Sequence, residues 1–202
     1  MMEISGMGRL DAPNEKPANA LPPFRVMANF FLHHESLRAQ FEWRIAMARF
    51  RGANLFIEST EAGRCFTAPV SRMFTQEVVT SFLSRLRSWT RNGIGVSHAS
   101  SPDLYAFSHG CWRPPLQDTT PVPWRYFYVL GPRARAKPSV TLVPVSSFDE
   151  ASIFSIRRTV SIELGYNTLM VYEADFVWSI EKARNGQEDL LSSAVFLTGH
   201  LW

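Results

Sequence analysis

The spacing of apolar residues changes character along the chain. From about His34 to Phe50, Leu37, Phe41, Ile45 and Ala48 recur at intervals of four and three, which predicts an amphipathic helix. A second helix is predicted after Thr75, a residue type that suits an N-cap, with Gln76 and Glu77 in the first turn. Phe74 and Val79 are placed to clasp that cap, and Val78, Phe82, Leu86 and Trp89 form the buried stripe. Arg91-Asn92-Gly93 supplies a stop. Beyond Gly95 the helical period disappears. Strands are predicted at 94–98, 103–108, 124–130, 139–145, 152–164, 168–173, 175–181 and 191–199. Turn-forming runs separate them, including Ser108-His109-Gly110, Gly131-Pro132, Gly165-Tyr166-Asn167 and Asn185-Gly186.

The ends of the chain frame this plan. Residues 1–22 are polar, lack an apolar period and read as a flexible leader, leaving 23–202 as one domain. Pro22 and Pro23 disfavour helix, so Phe24-Arg25-Val26-Met27 reads as an extended lead-in. Two helices followed by eight strands predict a mainly β, α+β architecture. It is a double-stranded β-helix, or jelly roll, with its helices packed outside one sheet. Such a roll has a mouth between its sheets that suits a small ligand.

Composition narrows the partners. The chain has 202 residues, 46% of them hydrophobic and 13% aromatic, which supports a packed core. Lys and Arg total 21 against 18 Asp and Glu. The surplus is spread out, with only Arg133-Ala134-Arg135-Ala136-Lys137 as a basic run, so no nucleic-acid partner is expected. No apolar run is long enough to span a membrane, and no secretory signal opens the chain, so a cytoplasmic protein with no membrane partner is expected. Cys65 and Cys111 cannot build a disulfide framework or a four-thiolate zinc site. Asn92-Gly93-Ile94-Gly95 lacks the third glycine of a dinucleotide loop, and no G-x-S-x-G elbow occurs.

Four stretches carry a family resemblance: Pro23 to Leu32, Tyr105 to Asp118, Asn167 to Asp175, and Ala194 to Trp202. Together they resemble the iron(II)/2-oxoglutarate-dependent oxygenases, especially small prolyl-hydroxylase-like members, over about residues 22–202. The resemblance implies two metal histidines, one metal carboxylate and an arginine for the far carboxylate of 2-oxoglutarate. Carried over, the first histidine falls on Leu116, the carboxylate on Asp118 and the second histidine on or beside Trp178. The arginine falls in Glu188-Asp189-Leu190-Leu191-Ser192, whose acids would repel a dicarboxylate, with Arg184 before the nearby turn. Leucine and tryptophan offer iron no lone pair, so the resemblance implies the fold with a degenerate metal and cosubstrate site.

Candidate ligand-binding residues follow from that mouth: Trp112, Gln117, Arg125, Tyr128 and Trp178, with Asp118 and Glu181 as catalytic carboxylates. Each has a plainer reading. Trp112 to Asp118 also reads as a proline-rich edge strand ending in a turn cap. Arg125, on the opposite strand face from Tyr126 and Tyr128, also suits an ion pair with a core acid. Asp175 and Glu181 also suit a solvated surface, and His33-His34-Glu35 suits a surface or a helix cap. Cys111 with His109 is a weak nucleophile pair.

The leading expectation is metal-independent tailoring of a small-molecule substrate without a cofactor, by acid/base chemistry such as cyclisation, isomerisation or dehydration. One alternative is an atypical hydroxylase that uses iron(II) and 2-oxoglutarate through His98, His109 and Asp118. Another is a non-catalytic binding module. A homodimer is allowed.

Overall fold

A first helix, α1, spans His34–Phe50 and buries His34, Leu37, Phe41 and Ile45, the face predicted from its spacing together with the histidine. In the computed structural model of the chain, residues 24–53, 57–59, 65–107, 110–112, 123–131, 139–144, 160–182 and 194–202 are described. The expected leader at 1–22 lies outside them. A one-turn α2 (Val70–Met73) precedes α3 (Gln76–Ile94), which buries Val79, Phe82, Leu86 and Thr90. Thr75 sits at the N-cap of α3 without a side-chain cap. Gln40 of α1 serves that end instead, its Oε1 accepting the Thr75 N–H at 2.9 Å.

The helix runs two residues past its expected stop. Gly93 stays helical, and the left-handed turn falls on Gly95 (φ 74°), the conformation glycine adopts without a Cβ penalty. This corrects the strand expected at 94–98. Ile94 closes the helix, and the following residues join the sheet through a single bridge, Ala99 to Leu201.

Eleven strands are described. They are β1 (Phe24–Ala28), β2 (Ile57–Ser59), β3 (Cys65–Ala68), β4 (Asp103–Phe107), β5 (Gly110–Trp112), β6 (Trp124–Gly131), β7 (Ser139–Pro144), β8 (Val160–Glu163), β9 (Thr168–Glu173), β10 (Phe176–Lys182) and β11 (Ala194–Leu201). A seven-stranded sheet has the order β1-β9-β6-β11-β4-β3-β2, and a four-stranded sheet has the order β5-β10-β7-β8. All the pairings are antiparallel. From β4 to β11 the chain alternates between the two sheets except at β7–β8, a hairpin within the small sheet, and this is the jelly-roll double-stranded β-helix. Three short strands, β2, β3 and β5, were not anticipated. The extended lead-in at 24–28 is a full edge strand hydrogen-bonded to β9.

Strand alternation divides the core in two. On the outer face of the large sheet, Tyr126, Tyr128, Leu130, Leu169, Val171, Val195 and Leu197 pack with Leu37, Phe41, Phe82 and Leu86 from the helices. On its inner face, Phe127, Val129, Met170, Tyr172 and Phe196 pack with Val140, Leu142, Phe176, Trp178 and Ile180 of the small sheet. The helices therefore back one sheet, as expected, and the inner layer is the barrel interior.

Candidate functional site

Aromatic rings fill the middle of the barrel. Trp178 on β10 is 4% exposed and meets Phe127 edge-on at 5.1 Å and Phe196 at 5.4 Å. Phe127 and Phe196 stack at 4.5 Å, and Tyr105 stacks on Phe196 at 5.5 Å. Four strands, β4, β6, β10 and β11, thus contribute rings to one packed cluster, which leaves that volume apolar.

Polar chemistry begins one row away. Tyr172 of β9 lies opposite Arg125 of β6, and Arg125 lies opposite His200 of β11. Arg125 shares the face of Phe127, and His200 that of Phe196, by strict alternation. Directly opposed residues place their Cβ atoms about 5 Å apart, so three side chains from three strands line up across the inner face. Arg125 Nε, Tyr172 Oη and His200 Nδ1 are all sealed from solvent. This row sits where β6 begins and β9 and β11 end, and the turn at Ala174-Asp175 leads from it into β10. β5 runs antiparallel to β10, so its carboxyl end points to this same end of the barrel. The row therefore lies at one end of the barrel, the end where the β9–β10 turn sits.

The expected site residues are distributed unevenly over this frame. Arg125 and Trp178 face the interior. Tyr128 does not: it lies on the helix-facing side of β6, so it cannot share a ligand with Arg125. Glu181 is exposed on the outer face of β10, opposite in alternation to Trp178 and Ile180, so the structure does not bring it to this row. Asp175 is exposed in the turn before β10. Trp112 closes β5 opposite Ile180. His109, Leu116, Gln117 and Asp118 lie outside the described residues, as does 188–192. His98 pairs its backbone with Trp202, the N–H of each donating to the other's carbonyl at 2.9 and 3.1 Å. Sequence reasoning missed Tyr172 and His200. Both sit in apolar strands, and only the register reveals that they flank Arg125.

Tyr128 instead anchors a second polar knot, beneath α1. Its hydroxyl donates to Asn167 Oδ1 at 3.0 Å and lies 2.5 Å from His34 Nδ1. Because its one hydrogen goes to Asn167, the imidazole must donate through Nδ1. Asn167 Oδ1 also accepts the Phe31 N–H at 2.9 Å, and its Nδ2 donates to the Phe31 carbonyl at 3.2 Å. Tyr166 closes the rim by donating to Glu35. His34 is 2% exposed, so the surface role expected for it is corrected to a structural one. Burial pushes the Tyr128 hydroxyl far above the usual phenol range, and the nearby Tyr166 and Glu35 add to the effect. Burial does the same to Tyr126, with Asp103 adding to it.

No protein-family model matches the sequence, and no curated protein matches it. Solved structures do match in shape. A prolyl hydroxylase from Trichoplax adhaerens, in complex with a hypoxia-inducible-factor peptide, superposes with a TM-score of 0.58 at 10% identity, covering 89% of this chain and 83% of that one. A Pseudomonas putida prolyl-4-hydroxylase gives 0.55 at 11% identity, covering 89% and 91%. The fold is that of the iron(II)/2-oxoglutarate oxygenases. The α-ketoglutarate-dependent epimerase SnoN of nogalamycin biosynthesis shares it too, with a TM-score of 0.57 at 9% identity, covering 89% and 77%.

The oxygenase fold raises the question of iron. Among the described residues, no three His, Cys, Asp or Glu side chains come together to hold a metal ion. Trp178, at the strand position carried over for the second histidine, turns an apolar ring into the Phe127–Phe196 stack. The described donor set does not fit the metal group.

Proposed function

We propose that this oxygenase-like barrel binds a small organic molecule at its mouth and carries out metal-independent acid/base chemistry on it. The supporting observation is a pairing of features on one inner face. The Trp178–Phe127–Phe196 cluster takes up the interior, and the Tyr172–Arg125–His200 row supplies polar groups at one end of the barrel. Arg125 offers a planar cation for a carboxylate or a flat ring. His200 adds an imidazole that can donate or accept a proton, joining the acid/base role expected of Asp118 with Glu181. The Tyr172 hydroxyl supports a developing oxyanion as a donor. Trp112, Gln117 and Asp118 remain part of the proposed site as the ligand-binding and catalytic residues expected from the sequence. Cyclisation, isomerisation and dehydration all fit a site of this kind.

The test uses the whole chain in buffer containing a chelator and a panel of aromatic and aliphatic carboxylates, with binding followed by ligand-observed NMR. Binding that survives the chelator, is lost in Arg125→Gln and persists in His200→Gln supports the reading. Ligands that bind only when a divalent ion is added would overturn it. The fold itself favours the second reading, an atypical iron(II) and 2-oxoglutarate hydroxylase. Its ligand set is His98, His109 and Asp118, and it requires 2-oxoglutarate to be consumed.

A further inference from the structure

Helix α1 has two apolar faces, and the barrel uses only one. Leu37, Phe41 and Ile45 pack into the core. On the opposite side Ser36, Ala39, Trp43, Ala46 and Phe50 recur at intervals of three and four, and all are exposed, Trp43 at 55% and Phe50 at 87%. From Ala39 to Phe50 small and large residues alternate along this second face, with a further small residue, Ser36, at its start. Glu35, Glu42 and Arg49 follow one another at seven-residue intervals along one edge, and Gln40 and Met47 along the other.

We infer that this face pairs with the same face of a second copy of the chain, antiparallel and about a two-fold axis. The pattern complements itself only in that orientation. Trp43 comes to lie over the partner's Ala46, and Phe50 over the partner's Ala39, so each large ring meets a methyl side chain that lets the helices approach closely. The same register sets Glu42, which already accepts from Arg38 of its own helix at 2.6 Å, beside the partner's Arg49 as a second cation, and the symmetry repeats that contact. On the other edge Gln40 meets the partner's Met47, with no like charges opposed. A parallel arrangement would stack Trp43 on Trp43 and Phe50 on Phe50 and bring no acid to Arg49. Such an isologous contact closes on itself and stops at the dimer. A seventeen-residue helix is only about 25 Å long, so the interface is small and the association depends on concentration.

The test is sedimentation equilibrium on the full chain from low to high micromolar concentration, with Glu42→Arg and Arg49→Glu as single variants and as the double variant. The expected result is a reversible monomer–dimer equilibrium that each single reversal weakens at least tenfold. The double variant should restore it, and so should an equimolar mixture of the two singles, because the mixture places opposite charges together at both sites. Rescue by mixing reads contact between copies, which a folding defect in either variant would not produce. Phe50→Glu should abolish the dimer with the helix signal intact. A chain that stays monomeric at high micromolar concentration would overturn the inference. So would a dimer indifferent to these substitutions, or a monomer that instead binds phosphatidylserine vesicles through Trp43 and Phe50.

Discussion

Replacing Trp178 with alanine probes the volume on which the metal-free reading turns. The indole is 4% exposed and makes edge contacts with two further rings, Phe127 at 5.1 Å and Phe196 at 5.4 Å. Large aromatic-to-alanine changes in a packed core cost about 3–5 kcal/mol, through lost transfer energy and the cavity left behind. Each ring pair adds about 0.5–1.5 kcal/mol beyond its buried area, which places Trp178→Ala near the middle of that range or above it. A loss of about 4 kcal/mol is a large part of a typical domain's stability and lowers the melting temperature of a chain this size by roughly 12 °C. The assay is urea unfolding followed by far-ultraviolet circular dichroism, with Trp178→Phe as the control that keeps a ring. The control should lose roughly 1–2 kcal/mol, since a smaller ring still fills much of the space. A loss below about 1 kcal/mol for Trp178→Ala would mean that the interior is not closed by these rings, and the argument against a metal there would fail.

Three further outcomes follow from the structure. Asn167→Ala removes three hydrogen bonds that tie the β8–β9 turn to Phe31 and Tyr128, and places alanine at φ 52°, so it should cost about 3 kcal/mol in chemical denaturation. Asn167→Gly should cost less, because glycine tolerates that φ and only the side-chain bonds are lost. Gly199→Ala would bring a Cβ within 2.7 Å of both Ser100 Oγ and Tyr126 Oη, and should destabilise by about 1–3 kcal/mol. Tyr126 and Tyr128 stay protonated in the folded state well above the pH at which they ionise unfolded. Stability should therefore be intact below about pH 10 and fall above it by about 1.4 kcal/mol per pH unit for each tyrosine. Phenolate absorbance from these two should appear together with unfolding, and a separate early step would contradict their burial.

The parts of the molecule that could be read from sequence are those with a period. α1 was predicted at 34–50 because its buried residues repeat every three to four positions, and it spans those residues. The long strands β6, β9 and β10 were legible from β-favouring runs between turn signals. β2, β3 and β5 have three or four residues each, too few to show alternation. α3 ended on Gly95 because a helical glycine at 93 is tolerated when the αL turn can form two residues later. The site was half legible. Alternation within β6 put Arg125 opposite Tyr128 in advance. The partnership of Arg125 with Tyr172 and His200 depends on register between strands 47 and 75 residues away, which no local pattern carries.

Mn(II) binding tests most directly whether the barrel works without a metal ion. Mn(II) is a redox-quiet stand-in for iron, and its free-ion signal in electron paramagnetic resonance disappears on binding. The full chain titrated with Mn(II), with and without 2-oxoglutarate, should leave that signal unchanged into the high micromolar range. Stoichiometric binding that tightens when 2-oxoglutarate is added would contradict the account and point to His98, His109 and Asp118 as ligands.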